Sequence, residues 1–227
     1  MRYQLPDGGT EQLMALLDLL AADPTAPTAV REPERILEDH LADSLVALEL
    51  ERVRAATVLA DIGSGAGVPG LPLAIAKPAA AVWLVESNGR KCAFLERAIA
   101  ACGLRNASVV NARAESWPDG LDRFELITAR ALASLEVVVE YAAPLLVVGG
   151  ALVVWRGKRD QQSEAAATIA ADRLAMDTLP AVSVRPYAGA RSRHLHVFRK
   201  ESQTPRGFPR RPGVARKRPL GRSPVPR

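Results

Sequence analysis

Aromatic residues are scarce: they make up 4% of the 227 residues, so the core must be built from Leu, Val, Ile and Ala. Hydrophobic residues still reach 48%, which excludes wholesale disorder. Cysteine is nearly absent. Cys92 and Cys102 stand alone in a helix-like stretch, with neither a Cys-x-x-Cys nor a Cys/His metal spacing. A reduced protein without structural metal is expected. No apolar run approaches the roughly 18 residues that span a bilayer. The start, Met1-Arg2-Tyr3-Gln4-Leu5-Pro6-Asp7, lacks the basic-then-apolar pattern of a secretion signal, so a cytoplasmic, membrane-free location is expected. Acid is missing from one end. Residues 185–227 hold 13 basic residues and the single acid Glu201, whereas residues 1–184 hold 17 basic and 24 acidic. A net +12 end on a net −7 body points to a polyanionic partner.

What is present alternates strands and helices. Thr10 to Ala22 and Pro33 to about Leu50 read as amphipathic helices, the second with Ile36, Leu37, Leu41, Leu45 and Leu48 on one face. Short apolar runs follow at Thr57–Asp61, Ala81–Glu86, Ala107–Asn111, Phe124–Thr128 and Ala151–Trp155. Between them lie helix candidates at Pro69–Ala76, Arg90–Cys102, Leu135–Tyr141 and Gln161–Arg173. Nearly continuous apolar strands separated by helices predict a parallel sheet covered on both faces. Val182–Tyr187 and His194–Arg199 predict a closing antiparallel hairpin. After Glu201, prolines among arginines predict an extended segment without a core of its own.

The chemistry begins where the first strand ends. Asp61-Ile62-Gly63-Ser64-Gly65-Ala66-Gly67 precedes a helix, and ligands of open α/β sheets bind at the carboxyl ends of strands. Glycines there let a ligand approach the backbone amides. Glu86 ends the second strand, where its carboxylate can accept both ribose hydroxyls of an adenosine group. Gly65-Ala66-Gly67-Val68-Pro69-Gly70 also fits G-x-G-x-x-G, which leaves a nicotinamide or flavin enzyme open on the loop alone. The fuller Asp-x-Gly-x-Gly-x-Gly pattern resembles the S-adenosylmethionine loop of Rossmann-like methyltransferases. A P-loop is excluded, since no GxxxxGK[ST] occurs.

The resemblance then narrows. His40-Leu41-Ala42-Asp43-Ser44-Leu45, the glycine loop through Gly70, Arg90-Lys91-Cys92-Ala93-Phe94-Leu95, Arg113-Ala114-Glu115 and Thr128-Ala129-Arg130-Ala131-Leu132-Ala133-Ser134 occur in order. A basic block runs from Phe208 to Gly221. Together these resemble the bacterial small-subunit rRNA guanine-N7 methyltransferases, the glucose-inhibited division protein B family. The likeness covers about residues 30–221. It implies an α/β, Rossmann-like class I fold: a mostly parallel seven-stranded sheet with a C-terminal antiparallel hairpin and a short N-terminal helical cap. The implied division is a cap over 1–54, a methyltransferase domain over 55–200 and a basic tail over 201–227.

The implied activity is methylation of N7 of a guanosine in the decoding-region loop of 16S rRNA, by a monomer acting on rRNA or a small-subunit particle. S-adenosylmethionine is the implied cofactor, held by Gly63, Gly65, Gly67, Val68, Glu86, Ala114, Glu115 and Arg130. Arg130 doubles as a positioning residue, and Arg156, Lys158, Arg210, Arg211, Lys217 and Arg218 face RNA. Two departures stand out. The N-terminal region lacks the tryptophan- and asparagine-containing stretch usual in the family, and Arg156-Gly157-Lys158 stands where the family tends to have Lys-Gly.

Guanine N7 carries an in-plane lone pair and no proton, so its attack on a methyl donor needs no general base. Proximity and electrostatics suffice, and His40, His194 and His196 need not act as bases. His40 is either a packed, hydrogen-bonded residue or a substrate contact. Taken alone, Glu115 is a surface acid and Arg130 a salt-bridge partner of Glu86 or Glu115. Three readings stay open: this rRNA methyltransferase, a methyltransferase for another RNA or small molecule, and an RNA-binding module or nicotinamide enzyme. The basic arm reads as separable, so deleting 205–227 should spare cofactor binding and weaken RNA binding.

Overall fold

The computed structural model describes residues 3–221. Five parallel strands form the sheet's main body: β1 (Val58–Ile62), β2 (Ala81–Glu86), β3 (Ala107–Asn111), β4 (Phe124–Arg130) and β5 (Leu146–Arg156). β6 (Met176–Thr178), β7 (Val182–Val184) and β8 (Arg193–Lys200) complete it in the order β3-β2-β1-β4-β5-β8-β6, with β7 also on β8. β8 runs antiparallel to β5, and β6 and β7 share its other edge end to end. The sheet therefore has seven ranks but eight strands. Met176-Asp177-Thr178 is too short to show a two-residue period in the sequence, and this hid β6.

Helices cover both faces. On one lie α1 (Gly9–Ala22), the broken cap segment, α5 (Gly70–Ala76) and α6 (Gly89–Ala101), around Leu13, Leu41, Leu71, Phe94 and Leu126. On the other lie α7 (Leu135–Ala142) and α8 (Gln161–Arg173), around Ile62, Phe124, Val138, Leu145 and Ala170. The chain leaves β1 toward β2 and β3 on one side and returns to β4 and β5 on the other. That reversal opens a crevice at the strands' carboxyl ends.

Two expectations need correction. The helix read over Pro33 to Leu50 is not continuous. It starts as α2 (Pro33–Ile36), widens to a π turn over Leu37–Ala42, resumes as α3 (Asp43–Leu45), tightens to a 3-10 turn over Val46–Glu49 and restarts as α4 (Glu51–Ala55). The Asp43 amide reaches back to the Glu38 carbonyl, so Asp39's carbonyl is left for another donor.

The basic tail is not an extended arm. Residues 204–221 fold back onto α7 and α8: Phe208 and Leu220 pack on the core, and a short α9 (Val214–Lys217) buries Ala215. The segment cannot make a core alone, but its few apolar residues complete one that the body supplies. Residues 222–227, with the last arginines and prolines of that arm, lie outside the described residues.

Candidate active site

The first cavity grows from the glycine loop. Gly63, Gly65 and Gly67 have φ of +69°, +54° and +82°. This backbone is costly for residues with a Cβ, which is why the glycines alternate there. Asp61, sealed beneath the loop, accepts the Thr128 hydroxyl at 2.8 Å and the Gly70 amide at 3.3 Å. Burial outweighs these bonds and pushes its carboxyl up to about 6. At the end of β2, Glu86 is buried and accepts one amide on each oxygen, from Asn88 at 2.9 Å and Gly65 at 3.2 Å. An ionised carboxylate has about four lone-pair positions, so two remain for a diol. A cavity of about 370 Å³ opens beside it, lined by Gly63, Glu86, Ala112, Ala114, Glu115 and Ala131 among others. Its size, glycine floor and acceptor pair fit the adenosine half of a nucleoside cofactor.

The second cavity, about 400 Å³, lies at the carboxyl ends of β4 and β5 and is roofed by the π turn. Charged side chains build it. Arg130 donates through Nη1 to the Asp39 carbonyl at 2.8 Å, the acceptor freed by the π register, and to Asp43 Oδ2 at 3.0 Å. Arg193 bridges Asp39 at 3.2 Å and Asp43 Oδ1 at 3.3 Å, and Tyr187 donates to Asp39 at 2.6 Å. The Trp155 indole donates to the Asp43 carbonyl at 2.7 Å, tying the cap to β5. Burial raises the Asp43 carboxyl against the pull of Arg130, whereas hydrogen bonds from Tyr187 and Arg35 hold the Asp39 carboxyl low despite its desolvation.

His40 joins the same network. Arg130 Nη2 lies 3.1 Å from its Nδ1 and the Thr28 hydroxyl 2.8 Å from its Nε2. A guanidinium can only donate, so Nδ1 accepts and Nε2 carries the proton: the ring is neutral. Burial and the Arg130 charge both lower its pKa. Ala131 touches both cavities, with a φ of +54° that is rare for a non-glycine residue.

Residues 11–195 match the family described as rRNA small subunit methyltransferase G. The chain belongs to that family. Among relatives named ribosomal RNA small subunit methyltransferase G, the one from Rubrobacter xylanophilus is 41% identical over 197 residues, covering 84% of this chain and 75% of the relative. The one from Chloroflexus aggregans is 40% identical over 196 residues, covering 85% and 82%. Solved structures share the fold at lower identity. A SAM-dependent O-methyltransferase from Thermotoga maritima is 15% identical with a TM-score of 0.57, over 84% of this chain and 72% of that one. A SAM dependent methyltransferase from Aquifex aeolicus is 14% identical with a TM-score of 0.55, over 74% and 93%. The Rossmann-like architecture expected from the sequence is the one the chain adopts.

For a member of the methyltransferase G family, the expected site residues divide unevenly. Gly63, Glu86, Ala114 and Glu115 line the first cavity. Gly65 serves it indirectly, through its amide on Glu86. Gly67 and Val68 turn inward: a Cβ on Gly67 would fall 2.2 Å from Leu71, and Val68 is buried in the core. Arg130 belongs to the second cavity and pairs with Asp43, not with Glu86 or Glu115. Arg156, half-buried beside it, donates to the Ala133 carbonyl at 2.6 Å, while Lys158 is exposed. Arg210 is withdrawn from the surface set. Buried Glu140 needs a counter-charge and Arg210 forks onto it. Arg211, Lys217 and Arg218 remain exposed.

Asp39, Asp43 and Arg193 are site residues that sequence reasoning did not single out. Asp43 lay within the quoted His-x-x-Asp-Ser pattern. Nothing local marks Arg193, which meets Asp39 across 154 positions.

Proposed function

We propose that the chain transfers a methyl group from S-adenosylmethionine to N7 of a guanosine in 16S rRNA, in the cytoplasm, on rRNA or a small-subunit particle. The observation that carries this reading is the pair of cavities meeting at Ala131 in a chain of the methyltransferase G family. When bound, the cofactor supplies an electrophilic methyl group on a positively charged sulfur. Glu86 would accept from its ribose hydroxyls, with Gly63, Ala114 and Glu115 as walls. The arginine-lined cavity would take the guanine.

N7 has no proton to lose, so no side chain must remove one. The neutral His40, its proton engaged by Thr28, orients Arg130 instead. Arg130 and Arg193 offer N–H groups to guanine O6 or to phosphate, acting by positioning. Arg156, Lys158, Arg211, Lys217 and Arg218 suit phosphate contacts at the rim. The test is a strain lacking this gene, with N7-methylguanine in its rRNA mapped by borohydride–aniline cleavage. Loss of one cleavage site in 16S rRNA, restored by the gene, is expected. An unchanged pattern overturns the acceptor assignment.

A further inference from the structure

The folded-back tail does more than cover the body. It supplies part of the first cavity's wall: Arg216, on α9, lines that cavity together with Tyr141 of α7. Its position is fixed from several sides. Arg216 Nη2 donates to the Leu132 carbonyl at 3.0 Å, and Leu132 is itself a lining residue. Gly213, the residue before α9, donates its amide to Glu115 Oε1 at 3.2 Å, on a carboxylate that also lines the cavity. Ala215 is buried against α7, and the Arg210–Glu140 pair anchors the approach. Further along, a Cβ on Gly221 would fall 2.1 Å from the Ala166 carbonyl, so the strap runs closely over α8.

We propose that residues 208–221 are a structural part of the cofactor site, and that Arg216 is a cofactor-contacting residue carried on this strap. The inference rests on the reading of the first cavity as the methyl-donor site. A guanidinium offers only donors and a flat cationic face. A purine ring offers acceptor nitrogens and a π face, so the adenine end of the cofactor suits Arg216, whereas the sulfonium end does not. Glu115 links the two: any occupant that presses on it also presses on the amide that seats α9. The basic segment thus has two jobs on opposite sides. Arg216 faces inward to the cofactor, and Arg211, Lys217 and Arg218 face the solvent. This reverses the expectation that removing 205–227 spares cofactor binding.

The test is titration of the full-length protein with S-adenosylhomocysteine by calorimetry, alongside Arg216→Ala and Arg206→Ala. Both arginines are exposed, so neither change removes core packing. About a tenfold loss of affinity is expected for Arg216→Ala, with Arg206→Ala within about twofold. Amide exchange across 208–220 should slow when S-adenosylhomocysteine binds the wild-type protein. If the wild type binds while Arg216→Ala binds equally and exchange in the strap is unchanged, the strap is not part of the site. If the wild type does not bind, the methyl-donor reading fails and takes this inference with it.

Discussion

The two cavities on either side of Ala131 are built by opposite means. The first is a main-chain construction: left-handed Gly63 lines it, and Glu86 is held by two amides, one of them from Gly65. The second is a side-chain construction, in which Asp39, His40, Asp43, Arg130 and Arg193 hold one another. A main-chain cavity keeps its fold when a single side chain in its wall is lost, even where a ligand contact goes with it. A side-chain cavity does not, because each lost partner strands a charge in a desolvated site.

Asp43→Ala sharpens that contrast most. It removes the carboxylate shared by Arg130 and Arg193, whose side chains are 16% and 32% exposed. Breaking a buried pair costs about 3–5 kcal/mol, and the partial exposure of Arg193 places this one near about 3 kcal/mol. Chemical denaturation should show that loss, while S-adenosylhomocysteine affinity of the folded protein stays within about twofold. A stability loss below about 1 kcal/mol would mean that the cluster does not hold the cap.

Asp61→Asn probes the first cavity's foundation. The folded protein holds the Asp61 proton up to about 6, above the carboxyl's ordinary 3.8. Folding therefore takes up a proton between these values. That contribution to stability is complete below about pH 4 and is lost as pH rises toward 6, by about 2 to 3 kcal/mol. The isosteric amide does not titrate, so denaturation curves of the two proteins should diverge across this window, with the wild type losing relative stability as pH rises. Parallel curves would show that Asp61 is not buried as described.

Glu86→Ala gives the smallest effect on the fold. Its oxygens serve only amides and the cavity, so the variant should fold normally. Affinity for S-adenosylhomocysteine should fall by about 10- to 100-fold, the equivalent of one or two hydrogen bonds to a charged group. An unaltered affinity would remove Glu86 from the cofactor site.

The same contrast explains what was legible in the sequence. The glycine loop, the acid after β2 and the five parallel strands announce themselves locally, because backbone conformation and strand burial each leave a short-range pattern. The glycine spacing reports turn geometry, however, not contact: Gly67 is required by Leu71 and Leu95 packed against it. The second cavity assembles from positions 39, 43, 130 and 193, and no window of the chain contains its logic. The break in the cap helix was masked because the apolar stripe from Ile36 to Leu45 survives a π turn. The tail misled through composition. Proline and arginine forbid an independent core but allow docking on one, with Glu140 as the buried acid that draws Arg210 in.

The division of labour between the cavities is tested most directly by diffraction from crystals soaked with S-adenosylhomocysteine. Ligand density is expected beside Gly63, Glu86 and Ala114, with Arg216 at its edge and the Arg130 cavity left open. Density among Asp43, Arg130 and Arg193 instead would contradict the assignment of donor and acceptor to the two sides of Ala131.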